Sequence, residues 1–135
     1  MRSRHVSHVI AAAPEHVYEF ASDPGNLALW ASGLAQAPVT RRGDDLVVES
    51  PMGTVTVRFV PHNEFGVIDH DVTLPSGSTV TNPVRVLAHP DGSEVVFILR
   101  QLDLTDEEFD RDAATVAADL ARLADLVEQS GPKSG

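Results

Sequence analysis

The sequence predicts an α+β protein in which a curved antiparallel sheet of about seven strands wraps round one long C-terminal helix. Three observations carry this expectation. Residues 35–101 are a succession of short strand-like runs separated by GDD, SPMG, HNEFG, PSGS and HPDG. The closing segment TDEEFDRDAATVAADLARLADLVEQ changes to a helical period. Its Phe109, Ala113, Val116, Leu120, Leu123 and Val127 form a single stripe that must be buried against something. Between the first strand and the hairpins, a proline-punctuated stretch reads as two short helices.

The elements follow in order. HVSHVIAA (5–12) reads as a first strand. Pro14 suits the first turn of a helix, whose Val17, Phe20 and Ala21 share a face, with Tyr18 offset from it. Asp23-Pro24 stops that helix and caps a second one running to about Trp30. Facing residues of a hairpin must share a side of the sheet, so each register can be tested. A two-residue Met52-Gly53 turn pairs Leu46 with Phe59 and Val48 with Val57 inside, and Glu49 with Thr56 outside. A three-residue loop Ser76-Gly77-Ser78 pairs Val72 with Asn82, His70 with Val84 and Ile68 with Val86. Asp69 then meets Arg85 and Thr73 meets Thr81 on the outer face. EVVFILR is apolar on both faces. An Asp91-Gly92 turn points Val95, Phe97 and Leu99 inward, whereas a three-residue loop points Val96, Ile98 and Arg100 inward. The last helix opens with a Thr105-x-x-Glu108 capping box and acidic first-turn residues that suit its dipole. Its roughly 24 residues span about 36 Å. Residues 1–130 read as one domain and 131–135 as a flexible tail.

Composition excludes several classes of function. With 135 residues the chain is long enough for a real core, and 42% hydrophobic with 22% charged residues is ordinary for a globular domain. It has no cysteine, so disulfides, thiolate metal sites and a cysteine nucleophile are out. A net charge of −10 argues against nucleic acid or an anionic membrane as main partner. No run approaches the ~18–20 apolar residues of a membrane span, and the N-terminal apolar stretch is broken by His5, His8 and Pro14. A cytoplasmic location is expected.

Chemistry centres on His70. It shares the apolar face of its strand with Ile68, Val72 and Leu74, while Asp69 and Asp71 face the other way, so Asp69-His70 is not a dyad. In the expected register, His70 is diagonal to Asn82, and the two are the only polar residues on the inner face of that hairpin. A buried imidazole and amide need partners, supplied by each other, by water or by a ligand. Asp69 and Arg85 read as an outer-face ion pair. No metal or nucleotide cofactor is expected. His5, His8, His16, His62, His70 and His89 show no zinc spacing, and GxSxG, GxGxxG and GxxxxGK[ST] are absent. DEEFDRD reads as a solvated first turn matched to its dipole.

A curled sheet with two short helices at one end tends to leave a cavity under the long helix. APEHVYEFASDPGNLALWASGL (13–34), the hairpin-rich middle and the closing amphipathic helix resemble the START-like, Bet v 1-like (SRPBCC) superfamily with the helix-grip fold. Within it the chain is most similar to the polyketide cyclase/dehydrase and lipid-transport group. The resemblance implies a fold more than an activity, since the superfamily holds carriers, enzymes and chaperone cofactors. It implies a cavity near Trp30 and raises lipid, polyketide-like or isoprenoid-like ligands above sugars and nucleotides. The expected site has apolar walls from Val57, Phe59, Ile68, Val72, Val84, Phe97 and Leu120, with His70, Asn82 and Trp30 beside them. Binding of a small, largely hydrophobic molecule is the first expectation. The second is a cyclase, aromatase or dehydratase using His70 as acid/base, ranked lower because the inner faces offer no carboxylate. The third is a chaperone-activator-like interaction module, which needs a filled core and an exposed apolar patch. Oligomeric state is not legible.

Overall fold

The computed structural model describes residues 1–31, 39–50 and 53–130. Strand β1 (Ser3–Ile10) leads to helix α1 (Pro14–Ser22), a 3-10 turn (Pro24–Asn26) and the short helix α2 (Leu27–Trp30). Then come β2 (Val39–Arg42), β3 (Asp45–Ser50), β4 (Gly53–Phe59), β5 (His70–Thr73), β6 (Thr79–Asn82), β7 (Val84–His89) and β8 (Gly92–Arg100). Helix α3 (Asp106–Ser130) closes the chain. The expected tail at 131–135 and the stretch at 32–38 lie outside the described residues.

Local chemistry explains the ends of these elements. Pro14 occupies the first turn of α1, where its missing N–H costs nothing. The Asp23 carboxylate accepts the Gly25 N–H at 2.9 Å, stopping α1 and starting the next turn. At the start of α3, the Glu108 N–H donates to Thr105 Oγ1 (3.1 Å) and the Thr105 N–H to Glu108 Oε1 (2.9 Å), so the capping box forms. β1 ends at Ile10 rather than residue 12, because the Ala12 N–H turns back onto the Ile10 carbonyl. The Ala11 N–H meanwhile donates to Glu128 of α3.

All strands pair antiparallel, in the orders β1-β8-β7 and β2-β3-β4-β5-β6. Eight strands form against about seven expected, because Pro83 divides β6 from β7. Proline has no N–H for a sheet ladder, so a strand bends or stops there. The two sheets remain joined across the bend: Ile68 N–H donates to the Val84 carbonyl and Val86 N–H to the Gly66 carbonyl. Asp69 completes the junction. It accepts the Val84 N–H at 2.9 Å and holds Arg85 through two bonds of 2.9 and 2.8 Å. What the sequence offered as a simple surface ion pair is thus the clamp between the two sheets.

The β3–β4 and β5–β6 hairpins keep their expected faces and shift their registers by two residues, and β7–β8 does the same relative to the Asp91-Gly92 alternative. β3 and β4 pair Leu46 with Val57, Val48 with Val55 and Glu49 with Thr54. Gly53 is the first residue of β4 and not a turn residue, and Pro75 of the next hairpin packs where its side chain would be. β5 and β6 pair His70 with Asn82, Val72 with Val80 and Thr73 with Thr79. The loop is Pro75-Ser76-Gly77, closed by the Leu74 N–H on the Ser78 carbonyl. Its last position is left-handed, so Gly77 (φ 91°) takes it and Ser78 cannot easily do so. β7 and β8 pair His89 with Gly92 across a Pro90-Asp91 turn. A side chain at Gly92 would meet the Ile10 carbonyl oxygen and the Ala12 backbone, so glycine is required there as the first residue of β8. The two-residue loop directs Val95, Phe97 and Leu99 inward; Val95 and Leu99 are buried and Phe97 half-buried.

The core lies between the sheet and α3. Ile10, Val17, Val95, Phe109, Leu120, Leu123 and Val127 are fully buried, each worth roughly 1.5–3 kcal/mol by area removed from water. The stripe on α3 is as expected, with Asp119 and Ala124 added to it.

Candidate functional site

Between α3, α2 and the inner faces of β4, β5 and β8 lies a cavity of about 240 Å³. Its sheet-side walls come from Val57 and Phe59 on β4, Val72 and His70 on β5, Val84 on β7 and Phe97 on β8. Ile68, from the segment before β5, and Leu120 of α3 add to them, and Trp30 of α2 lies at one end. Strand alternation does this work: 57 and 59, and 68, 70 and 72, are same-face positions on neighbouring strands. Of the expected site residues, Asn82 is the one that does not line the cavity. The two-residue register shift sets it directly opposite His70, half-buried at the end of β6 beside the Pro83 bend.

The sequence reading missed Leu27, Ala31, Val55, Val116 and Asp119, all of which line the cavity. Asp119 is the consequential one, because it corrects the expectation that no carboxylate faces inward. It is only 9% exposed and lies 3.5 Å from Arg122 of its own helix. The signal was present in the spacing: Asp119 is i+3 from Val116 and i−4 from Leu123, on the buried stripe. Arg122 also reaches the Trp30 carbonyl at 3.3 Å, tying α3 to α2.

His70 is enclosed by aromatic rings. Phe59 packs against it at 4.8 Å between centroids and Phe97 edge-on at 5.9 Å. Desolvation by this surrounding holds the imidazole pKa below its usual 6.5, although the bond to Ile68 and the charges of Asp69 and Asp71 work in the opposite direction. The ring is therefore neutral at pH 7. Its Nδ1 lies 3.1 Å from the Ile68 carbonyl oxygen, which can only accept, so Nδ1 carries the proton and Nε2 the lone pair. Trp30 is 6% exposed, and its indole Nε1–H has no acceptor among the described residues.

Tyr18 is not at this cavity. It is buried on α1, its hydroxyl accepts the Asn63 N–H at 2.9 Å, and its ring meets His62 edge-on at 5.0 Å. It belongs to a separate surface groove of about 330 Å³ between α1 and the 62–66 loop, bordered by Glu15, Glu19, His62 and Glu64. Among the described residues, no three His, Asp or Glu side chains are grouped as a metal ion would need. Also among them, no helix is long and apolar enough to cross a membrane.

An antiparallel sheet curled round a long C-terminal helix, with an apolar cavity between them, defines a helix-grip protein. The chain belongs to the polyketide cyclase / dehydrase and lipid transport family, whose model matches residues 1–128. No curated protein sequence matches it. Solved structures agree on the fold. Protein CV1439 of Chromobacterium violaceum is 16% identical with a TM-score of 0.67, over 95% of this chain and 99% of that one. The Aha1 protein of Colwellia psychrerythraea, solved as a dimer, is 14% identical with a TM-score of 0.74, over 95% and 97%. DynU16, from the dynemicin biosynthetic locus, is 14% identical with a TM-score of 0.72, over 96% of this chain and 48% of its own. At such identities the likeness is one of fold alone.

Proposed function

We propose that the protein binds a small, largely apolar molecule in the cavity between sheet and C-terminal helix. The observation that carries this reading is the cavity itself: about 240 Å³, walled by aliphatic and aromatic side chains, with His70 and Asp119 as its ionisable groups. Ligand sites commonly pair an apolar enclosure with a few polar groups that fix orientation. The family description supports lipid or polyketide-like ligands. The volume favours one of modest size, on the order of ten non-hydrogen atoms. An acidic, cysteine-free chain fits a cytoplasmic location. Native mass spectrometry of the purified protein, followed by thermal-shift titration with small apolar molecules, tests the reading. Retained ligand, or a melting temperature raised by at least one such molecule, is expected. A protein that retains nothing and responds to none contradicts it.

Asp119 favours a second reading, a cyclase or dehydratase. A neutral imidazole on the sheet side and a carboxyl group on the facing helix are the two proton-transferring groups such chemistry needs. His70→Gln separates the two readings. Turnover lost with binding retained supports the enzyme; altered affinity in a protein that never shows turnover supports the carrier. The interaction-module reading required a filled core, and the open cavity weighs against it.

A further inference from the structure

Resting on the ligand-binding reading above, we propose that the cavity selects molecules carrying a hydroxyl, apolar alcohols or phenols, whose O–H donates to His70 Nε2. The tautomer is the basis. Because the Ile68 carbonyl holds the proton on Nδ1 (3.1 Å), the other ring nitrogen presents a lone pair. That nitrogen has no protein partner among the described residues, and His70 is part of the cavity wall. The aromatic packing from Phe59 and Phe97 fixes the ring plane, so its acceptor direction is set before any occupant arrives. A ketone, ether or ester offers this nitrogen nothing, since it too only accepts. An occupant with an O–H satisfies an acceptor that otherwise loses its hydrogen bond when the cavity is filled by hydrocarbon. Trp30, at one end of the cavity, adds an unmet donor, its buried Nε1–H having no acceptor among the described residues. A hydroxyl can donate, as His70 Nε2 requires, and can accept, as the Trp30 N–H requires.

The test uses three aromatic probes on the wild-type protein by isothermal titration: naphthalene, 1-naphthol and 1-methoxynaphthalene. The hydroxylated probe lies between the other two in size, so steric fit alone cannot single it out. It is expected to bind about three- to tenfold tighter than both. In a folded His70→Phe, which keeps the aromatic packing, the ratio of 1-naphthol to naphthalene affinity should fall to about one. Should the variant fail to fold, the imidazole nitrogen spectrum of the wild type decides. The Nε2 resonance must move on adding 1-naphthol and stay in place with 1-methoxynaphthalene. Equal affinity for all three probes, a preference retained in a folded His70→Phe, or an unmoved Nε2 resonance overturns the hydroxyl preference and leaves the cavity reading standing. Failure of every probe to bind removes both.

Discussion

Where α3 lies against β1 and β8, Ile10, Val95, Phe109, Leu123 and Val127 are fully buried, and none of them lines the cavity. Where it faces β4 and β5, Val55, Phe59 and Val72 are half-buried around an open volume of about 240 Å³. The same helix, packed on the two joined sheets, thus makes a solid end and a hollow end. The solid end is reinforced from outside: Arg2 and Arg4 lie over the Phe109 ring at 5.6 and 5.5 Å, and Arg4 pairs with Asp110 at 2.9 Å. The hollow end is spanned by Asp69, which clamps the bend at Pro83. The difference teaches that stability and recognition have been assigned to different stretches of one interface, so each can be altered without the other.

Substitutions should break that division in graded steps. The largest effect is expected at the solid end. Leu123→Ala should cost about 3–5 kcal/mol in chemical denaturation, because a packed core relaxes poorly around a new void. Val72→Ala, beside space that already exists, should cost about 1 kcal/mol; equal losses at the two sites would erase the distinction. Next comes the clamp. Asp69→Asn keeps the size of the side chain but removes the charge that serves the Val84 N–H and Arg85, and should cost about 1–2 kcal/mol. The Arg85 pair and the buried Val84 N–H together hold the Asp69 pKa below its ordinary value, although desolvation acts in the opposite direction. The clamp therefore stabilises the fold above the usual carboxylate range and is lost as pH falls through the lowered value. Val72→Phe should do the converse of Leu123→Ala, lowering stability by no more than about 1.5 kcal/mol while weakening ligand binding at least tenfold.

The smallest effect concerns His70. Its pKa is lowered in the folded state, so the unfolded chain takes up the proton first as pH falls. Stability should decline from about pH 6.5 downward and level off below the folded-state value. The groups that moderate this are the Ile68 carbonyl and the charges of Asp69 and Asp71 on either side in the chain. Denaturation midpoints at pH 7 and pH 5 should differ less in His70→Gln than in the wild type. An identical pH dependence in the two would mean that His70 is not buried as the structure shows.

Much of this was legible in the sequence, and its failures share one cause. Period-two alternation fixes which face a residue takes, so Val57, Phe59, Ile68, His70 and Val72 were correctly gathered on one side. It does not distinguish a register from one shifted by two, because that shift preserves every face. At Gly53 and Gly92, glycine was read as part of the turn when it is the first residue of the following strand; at Gly77 the loop was taken one residue too late. Each error moved a hairpin by two. One of them separated Asn82 from the cavity it was expected to line. Pro83 carried a visible signal, but its consequence, a bend clamped by Asp69, depends on a contact between strands that periodicity cannot show. Asp119 escaped notice for a different reason. A carboxylate within an apolar stripe reads as an interruption, and only the packed helix shows that it belongs to the cavity wall.

The central claim, a hollow end that binds beside a solid end that does not, is tested most directly by mapping backbone amide shifts during titration with 1-naphthol. Shifts concentrated at Val57, Ile68, His70 and Val72, with Val6, Val86 and Val95 unmoved, are the predicted result. Shifts confined to Val6, Val86, Val95 and their neighbours at the solid end, or none at saturating probe, would contradict it.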